Sequence, residues 1–261
     1  MPTAHVGDLT IHYEEHGEGK PIVLHHGLAG STEQWRPVLG TLRDLGYRAI
    51  AFDQRGHGRT SDGTKAFTIP QLVEDMRGLM DHLRLQRATL LGHSMGGRTA
   101  LLFAMNHPER VEALILNGAG GSPPTGDARA AFELFVEVAR KQGMEAVWAL
   151  DRYQARLPRL VKETAGLRES FKAGFLKNRP EGYAGAIGAI VSMPDLVPRL
   201  GEIRCRTLAL VGAEDPAAPF ADVVAAKVPT ATKAIIPDAG HFPHLETPDL
   251  FNAAIRKFLA A

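Results

Sequence analysis

The sequence predicts an α/β fold in which a mostly parallel sheet carries helices on both of its faces. Short apolar runs alternate with helical patterns up to Gly118, and this alternation is typical of parallel strands joined by crossover helices. Residues 128–200 instead contain helical pieces without a convincing strand, and the strand–helix–strand pattern returns at residue 207. The interruption predicts a helical insertion over one edge of the sheet.

The strands of the first half are predicted from two patterns. Residues 9–13 alternate apolar and polar side chains with a period of two, as in a strand with one exposed face. Continuous apolar runs are typical of strands buried on both faces, and they occupy residues 21–24, 47–52, 88–91 and 113–116.

Helices are predicted between these strands, where apolar residues recur at spacings of three and four. The predicted ranges are 32–45, 68–83 and a run after Ser94 that stops before Pro108, because proline cannot continue a helix.

The C-terminal part resumes the alternation. Strands are predicted at 207–211 and 234–236 with a helix at 220–228 between them, and a last amphipathic helix at 248–259. We therefore expect a core formed by residues 1–121 and 201–261, with residues 122–200 as a helical cap.

The composition excludes several classes of function. The 261 residues are 44% hydrophobic and 23% charged with a formal net charge of +1, so no nucleic-acid or membrane-surface partner is expected. Cys205 is the only cysteine, which excludes an intramolecular disulfide, and its place beside an apolar strand predicts a packed thiol. Because the sequence has no apolar signal-peptide core and no run long enough to span a bilayer, we expect a cytoplasmic protein.

The most specific pattern is Gly92-His93-Ser94-Met95-Gly96, which has the form G-x-S-x-G between a predicted strand and a predicted helix. On such a sharp turn the serine hydroxyl is held clear of the backbone, and the glycines let neighbouring main chain approach closely. The helix that begins here directs free N–H groups and its positive dipole end at any negative charge that develops on Ser94. We therefore predict that Ser94 is a nucleophile.

A serine hydroxyl needs a base within hydrogen-bond reach and a third group that orients the base. Among eleven histidines, His241 is preferred as the base because it lies in the loop after the last predicted strand. His244 is the main rival, but we expect it to pack or cap near the following helix. His93 is expected to point away from Ser94, so that it braces the turn or lines the pocket.

The orienting acid is expected where the strand at 207–211 ends, and Glu214 and Asp215 both occur there. Asp215 is preferred because its shorter side chain is held more rigidly in a turn and Pro216 fixes the chain after it; Glu214 stays an alternative. The resulting order of serine, aspartate and histidine along the chain is that of the α/β-hydrolase arrangement.

The negative oxygen of a tetrahedral intermediate needs hydrogen-bond donors, and one is expected to be the backbone N–H of Met95, directly after the nucleophile. The second is expected from the loop after the strand at 21–24, where we predict the backbone N–H of Leu28. Gly27 allows the backbone to approach the reacting centre.

Two other histidine-containing segments have competing interpretations. His25 and His26 could be taken for metal ligands, but adjacent side chains point apart and no third ligand lies at a usable spacing, so no metal is expected. Residues 53–58 combine an acid, a base and glycines. We interpret them as a structural turn beside the oxyanion site, in which Asp53 and Arg55 form local hydrogen bonds.

Taken together, these motifs resemble the α/β-hydrolase superfamily over nearly the whole chain. The resemblance rests on His26-Gly27, residues 53–58, residues 92–97, the Asp215 turn, and Gly240-His241 followed by Glu246 and Pro248. It implies the α/β-hydrolase fold, with an eight-stranded mostly parallel sheet, a cap inserted after the sixth strand, and covalent serine catalysis without a cofactor.

The predicted function is that of a serine hydrolase, which cleaves a small carboxylic ester or lactone through an acyl-enzyme intermediate. We predict that the substrate contacts His93, Trp148, Tyr153 and Phe242. Oligomeric state is left open.

Two alternatives remain. One is a carbon–carbon bond hydrolase or elimination enzyme for an anionic substrate, which Arg98 and the cap arginines at 152, 156 and 159 would suit, although a solvated helix face also explains the cap arginines. Phe242 departs from the tryptophan usual in biphenyl-pathway carbon–carbon hydrolases. The other alternative is a ligand-binding receptor with vestigial hydrolysis.

Overall fold

The structure is a computed structural model and describes residues 2–64 and 67–260. Within those residues, eight strands form a sheet in the order β1-β2-β4-β3-β5-β6-β7-β8. The strands are β1 Thr3–Val6, β2 Leu9–His16, β3 Lys20–His25, β4 Tyr47–Phe52, β5 Ala88–His93, β6 Val111–Asn117, β7 Arg206–Gly212 and β8 Ala231–Ile236.

Helices connect most of the strands. They are α1 Arg36–Asp44, α2 Ile69–His82, α3 Met95–Asn106, α4 Gly126–Gln142, α5 Met144–Ala149, α6 Asp151–Ala155, α7 Arg159–Glu163, α8 Ala165–Leu176, α9 Pro180–Val191, α10 Ala218–Lys227, α11 Pro243–Glu246 and α12 Pro248–Ala260. Short 3-10 turns span Thr32–Trp35, Pro108–Arg110 and Val197–Glu202.

The sheet is parallel from β4 to β8, and the antiparallel pairings among the described strands are β1 with β2 and β2 with β4. This arrangement confirms the predicted α/β-hydrolase fold with its mostly parallel sheet. Strand β1 was not expected from the sequence, since its four residues alternate too briefly to give a pattern.

Apolar side chains are buried on both faces of the sheet, which confirms helices on both sides. On one face, α2, α3 and α10 contribute Met76, Leu101 and Val224. On the other face, α1 and α12 contribute Val38 and Ile255. Sheets of this kind bind ligands in a crevice just outside the carboxyl ends of the strands.

Helices α4 to α9 all lie between β6 and β7 in the chain, and their apolar side chains form a cluster of their own that includes Phe135, Trp148 and Phe175. Leu28 and Ala29, from the loop after β3, pack against this cluster. The helical segment therefore lies on the loop that the sequence places beside Ser94. The division into residues 1–121, 122–200 and 201–261 stays a prediction.

The predicted helix at 32–45 is divided in the structure. A 3-10 turn begins after Ser31, whose hydroxyl accepts a hydrogen bond from the Glu33 N–H at 3.3 Å, and α1 follows with Pro37 in its first turn. Across residues 2–64 and 67–260, no helix combines the length and the apolar character needed to cross a bilayer.

Candidate active site

Ser94 occupies a strained turn between β5 and α3. Its backbone has φ 51° and ψ −110°, in a region that residues with a side chain rarely adopt. The flanking glycines permit this turn, because a Cβ on Gly96 would lie 2.1 Å from the His25 carbonyl oxygen and a Cβ on Gly92 would lie 2.4 Å from the Gly96 carbonyl oxygen. Strain of this kind is common where a side chain must be presented for chemistry.

In the predicted triad, His241 lies within hydrogen-bond distance of both Ser94 and Asp215. The Ser94 hydroxyl lies 2.9 Å from Nε2 of His241, and Nδ1 of the same ring lies 2.9 Å from Oδ2 of Asp215. An Nδ1–H that donates to the carboxylate leaves Nε2 free to accept the serine proton. The His241 side chain is 29% exposed, so a solvent-borne substrate can reach this pair.

Asp215 is held on both carboxylate oxygens. Oδ1 accepts a hydrogen bond from the Ala217 N–H at 2.8 Å, while Oδ2 accepts from His241. The alternative acid, Glu214, points elsewhere: its carboxylate binds the guanidinium of Arg159, at the start of α7, with a shortest distance of 2.8 Å. The tertiary structure therefore favours Asp215 over Glu214 as the partner of His241.

The loop that carries His241 is fixed from two directions. Oε2 of Glu246 accepts from the Gly240 N–H at 3.1 Å and Oε1 accepts from the Phe242 N–H at 2.9 Å. From the other side, Nε2–H of His93 donates to the His241 carbonyl oxygen at 2.8 Å. The bracing role of Glu246 was not predicted, although an acid five residues after the histidine, shortly before the last predicted helix at 248–259, was a usable signal.

The two rival histidines are buried as neutral supports. His244 stacks on Trp35 with ring centroids 5.0 Å apart, and burial together with nearby His241 lowers its pKa to about 3. His93 is 1% exposed, and burial, with His244 and His241 beside it, lowers its pKa well below the usual value. In this conformation His93 braces the turn and offers almost no surface to a substrate.

The two predicted oxyanion donors lie where their N–H groups are free. Met95 is the first residue of α3, so its N–H has no partner within the helix. At Leu28 the orientation follows from the preceding carbonyl: Gly27 O accepts from Nδ1–H of His26 at 2.8 Å and from the Gly30 N–H at 3.1 Å. Since C=O and N–H point in opposite directions across a trans peptide, the Leu28 N–H points away from those donors.

Gly27 itself lies directly against the nucleophile. A Cβ on Gly27 would lie 3.2 Å from Cβ of Ser94 and 2.7 Å from Nδ1 of His93. A side chain at this position would therefore occupy the space between the Leu28 peptide and Ser94. The contact explains why a glycine stands at this point of the loop.

Below this loop, buried histidines hold its backbone in place. Nε2 of His26 accepts from the Gln54 N–H at 3.0 Å, and Nε2 of His57 accepts from the Ala29 N–H at 3.2 Å. Burial lowers the pKa of His57 to about 4 and that of His26 well below its usual value, so both rings are neutral at neutral pH and can accept. His25 binds Oε1 of Gln54 at 2.9 Å and, like His26, is used for structure.

The turn at 53–58 has the bracing position that the sequence predicted, with one correction. The Asp53 carboxylate accepts from the N–H groups of Thr32 and Arg59 at 2.7 and 2.9 Å. Arg55, in contrast, forms no merely local bonds: its guanidinium is fully buried and lies 2.8 Å from Asp75 on α2 and 3.0 Å from Asp8 between β1 and β2. Strand pairing and helix packing, which the local sequence does not encode, bring these acids together.

The remaining residues predicted to contact substrate differ in exposure. Trp148 is buried in the apolar cluster of α4–α9, and Tyr153 is half-buried against Phe175 with ring centroids 4.7 Å apart. Phe242 is half-buried beside His241 and meets Phe171 of α8 edge-on at 4.6 Å. Tyr153 and Phe242 therefore keep surface for a ligand, whereas Trp148 keeps little; contact with substrate stays a prediction for all of them.

The three arginines at 152, 156 and 159 have different environments. Arg159 pairs with Glu163 and Glu214, and Arg152 donates to the Asp127 carbonyl oxygen at 2.8 Å. Arg156 pairs with no acid among the described residues, and its guanidinium carbon lies 5.0 Å from the centre of the Phe132 ring. The charges of the three guanidinium groups are thus compensated differently.

Arg98, one turn into α3, is a cation in an unusual setting. Its Nη1 lies 3.4 Å from the Ser122 carbonyl oxygen and 2.9 Å from Sδ of Met193, and its Nε has no hydrogen-bond partner in the part of the chain that the structure describes. Burial lowers its pKa to about 10. A guanidinium held without a carboxylate is suited to an anionic ligand.

A further cavity lies away from Ser94, Asp215 and His241. A groove of about 640 Å³ lies between α4 and α9, where Phe67, Glu137 and Ile187 line it, and it contains none of the predicted site residues. Within residues 2–64 and 67–260, no group of three His, Cys, Asp or Glu side chains is placed to hold a metal ion.

Comparison with known proteins agrees with the fold. A family model described as alpha/beta hydrolase fold matches residues 20–248. The structure resembles the enol-lactonase of Burkholderia xenovorans LB400 with 29% identity and a TM-score of 0.91, covering 100% of both chains. It resembles a thermophilic esterase of Thermogutta terrifontis with 29% identity and a TM-score of 0.89, covering 98% and 95% of the two chains.

The sequence is also similar to a 2-hydroxy-6-oxo-6-phenylhexa-2,4-dienoate hydrolase of Comamonas testosteroni. The two are 30% identical, and the match covers 97% of this chain and 92% of the relative. Relatives of this chain are thus named for more than one class of substrate.

Proposed function

Because the chain belongs to the alpha/beta hydrolase fold family, we propose that it is a serine hydrolase that cleaves a carboxylic ester or lactone through an acyl-enzyme intermediate. The similar proteins described above are named as a lactonase, an esterase and a hydrolase. The observation that carries the proposal is the pair of 2.9 Å contacts from Ser94 to His241 and from His241 to Asp215. Lactonase and esterase are the activities named for the two similar structures, which supports this choice of bond.

In the proposed reaction, Ser94 Oγ attacks the carbonyl carbon of the substrate while Nε2 of His241 takes the serine proton. Asp215 holds the ring in the required tautomer and stabilises the imidazolium. The N–H groups of Leu28 and Met95 bind the oxyanion, and each such donor typically lowers the barrier by about 3 kcal/mol. His241 then gives its proton to the leaving alcohol, and a water molecule repeats these steps to release the acid.

We also propose that residues 122–200 act as a cap over a core formed by residues 1–121 and 201–261. The contact of Phe171 with Phe242 and the packing of Leu28 and Ala29 on the cluster of α4–α9 support this role. A cap in this position would select the substrate, with Tyr153 and Phe242 as the contacts best placed for it and His93 and Trp148 behind them. A cytoplasmic location stays a prediction.

The test of the proposed function is a substrate panel of 4-nitrophenyl acetate, butyrate and octanoate with a set of small lactones. We expect at least one of them to be hydrolysed with kcat/KM above about 10³ M⁻¹ s⁻¹. This threshold is about tenfold below the lower end of the usual range for enzymes. Hydrolysis no faster than the buffer background for every member would contradict the proposal. Ligand binding without turnover would instead favour the receptor alternative.

A second candidate is hydrolysis of a carbon–carbon bond, or elimination, on an anionic substrate. Arg98, buried without a carboxylate partner among the described residues, favours this class, and so does the resemblance to the dienoate hydrolase. Arg156, which pairs with no acid in residues 2–64 and 67–260, would add a second cation at the cap. Activity on dienoates with little on simple esters would select this candidate.

The binding of an anionic substrate, whether an ester or a dienoate, is expected to depend on Arg156. Replacing Arg156→Gln should raise KM for a 4-nitrophenyl monoester of glutaric acid by about tenfold, because a charge-assisted hydrogen bond is lost. KM for neutral 4-nitrophenyl pentanoate should change little. Arg152→Gln is the matched control, since it removes the same charge from a neighbouring exposed position; equal effects of the two replacements would rule out a specific role for Arg156.

A further inference from the structure

The loop that carries the proposed oxyanion donor is held in an unfavourable conformation. Ala29, which follows Leu28, has φ 58°, in the left-handed region that an alanine adopts only at a cost of about 1 kcal/mol. Such a conformation persists only when its surroundings impose it. The contacts that impose it therefore also determine where the neighbouring Leu28 N–H lies.

Both backbone polar groups of Ala29 are bound by side chains, and the two side chains come from different layers of the protein. The N–H donates to Nε2 of His57, in the core turn, at 3.2 Å. The carbonyl oxygen accepts from Nδ2 of Asn178 at 3.0 Å. Asn178 lies between α8 and α9, 149 positions further along the chain, so a residue of the helical segment holds the loop directly.

Asn178 is itself fixed in place. It is 8% exposed, and its Nδ2 also donates to the Phe175 carbonyl oxygen at 3.0 Å, at the end of α8. An amide anchored to the helix in this way offers its remaining donor in one direction. The Ala29 carbonyl thus meets a rigid partner rather than a mobile surface side chain.

The loop has room to move if this bond is lost. A cavity of about 150 Å³ lies behind it, with Gly30, Asp53, Lys177 and Asn178 among its lining residues. Close packing does not restrain the loop on this side, because the space there is open. The hydrogen bond from Asn178 is the direct restraint there.

We propose that Asn178 is a positioning residue that couples the helical segment 122–200 to the oxyanion hole by holding the Ala29 carbonyl and, through it, the Leu28 N–H. This inference rests on the proposed serine hydrolase function. The helical segment then has two roles, since it covers the site and completes the geometry that stabilises the transition state. A substrate that moves this segment would change the rate of the chemical step as well as access.

The proposal is tested with Asn178→Ala on the best ester of the substrate panel. We expect kcat to fall about tenfold, less than the 10²–10³-fold loss typical when an oxyanion donor is removed outright, with KM changed less than about twofold. Inhibition by butylboronic acid, which forms a tetrahedral adduct with an active serine, should weaken by a similar factor. Titration with a fluorophosphonate measures the concentration of protein molecules that have a reactive serine. Dividing the maximal rate by this concentration gives a kcat that excludes misfolded protein.

Asn178→Asp tests the direction of the bond, because it keeps the shape but places an acceptor against the Ala29 carbonyl. It should lower kcat at least as much as Asn178→Ala, and it carries the test if the alanine variant does not fold. Lys177→Ala is the matched control: Lys177 is adjacent and pairs with Glu33 on the core side at 3.2 Å, and its loss should leave kcat within about twofold.

A raised KM at unchanged kcat in Asn178→Ala, or a kcat equal to that of Lys177→Ala, would overturn the inference. Failure of the proposed function has a different result, in which Ser94→Ala retains the activity being measured. The two failures are therefore distinguished by the same set of assays.

Discussion

Ser94→Ala is expected to lower kcat on the preferred ester by about 10⁴-fold or more, as in other serine triads. The methyl group cannot attack the carbonyl, so only the proposed oxyanion donors and substrate positioning remain to accelerate attack by water. A 10⁴-fold loss corresponds to about 5.4 kcal/mol of transition-state stabilisation. Steady-state kinetics measure it, and the mass increase on labelling with a fluorophosphonate should disappear in the same variant.

The control for this replacement is Ser192→Ala, an exposed serine on the helical segment whose hydroxyl donates to the Gly188 carbonyl oxygen at 2.8 Å. It should leave kcat and labelling unchanged. If Ser94→Ala kept activity within about tenfold of the original protein, the assignment of the nucleophile would be wrong, because no triad tolerates that loss so well.

Asp75→Asn is expected to lower the free energy of unfolding by about 3 kcal/mol, a larger loss of stability than for any other replacement described for this protein. Arg55 is fully buried and its guanidinium binds Asp75 through two N–H groups, at 2.9 and 2.8 Å. Removing one partner of a buried ion pair leaves a charge that is poorly compensated. Asp8, which also binds Arg55, keeps the loss at the lower end of the range for such pairs.

Urea unfolding measures this loss as a lower midpoint at an unchanged slope. Glu74→Gln is the matched control, since Glu74 is adjacent on α2 but forms an exposed pair with Arg77, which contributes less than about 1 kcal/mol. Equal midpoints for the two variants would show that the buried pair does not stabilise the fold. Asp75→Asn should also loosen the support of Ala29. His57, which accepts from the Ala29 N–H, donates to the Arg55 carbonyl oxygen at 3.0 Å and therefore depends on the position of Arg55.

Much of the fold was predictable because its strands and helices follow local patterns. The apolar runs at 21–24, 47–52 and 88–91 fall within β3, β4 and β5, and the helix at 68–83 corresponds to α2, where the Thr68 hydroxyl accepts from the Gln71 N–H at 3.2 Å. The exceptions are also local. The strand β1 is too short for a pattern, and the segment 32–45 divides because Pro37 favours a helix start within it.

The candidate site was predictable to the extent that one rule gives its place in the fold. Ligands of parallel sheets bind where strands end, and Ser94, Asp215 and His241 each follow a strand in the structure. That rule could not choose between His241 and His244 or between Asp215 and Glu214. The choices depend on Trp35, which stacks on His244, and on Arg159, which binds Glu214, and both lie far away in the chain.

The sequence by itself determined the order of strands and helices, the strained turn at Ser94 and the glycines around it, because these depend on backbone conformation and on residues that are near in sequence. Only the tertiary structure decided which remote side chains hold the site: Glu246 on the His241 loop, Asp8 and Asp75 on Arg55, and Asn178 on Ala29. Such contacts join residues up to 149 positions apart. They depend on how whole layers pack against each other, and no local pattern of residues records that packing.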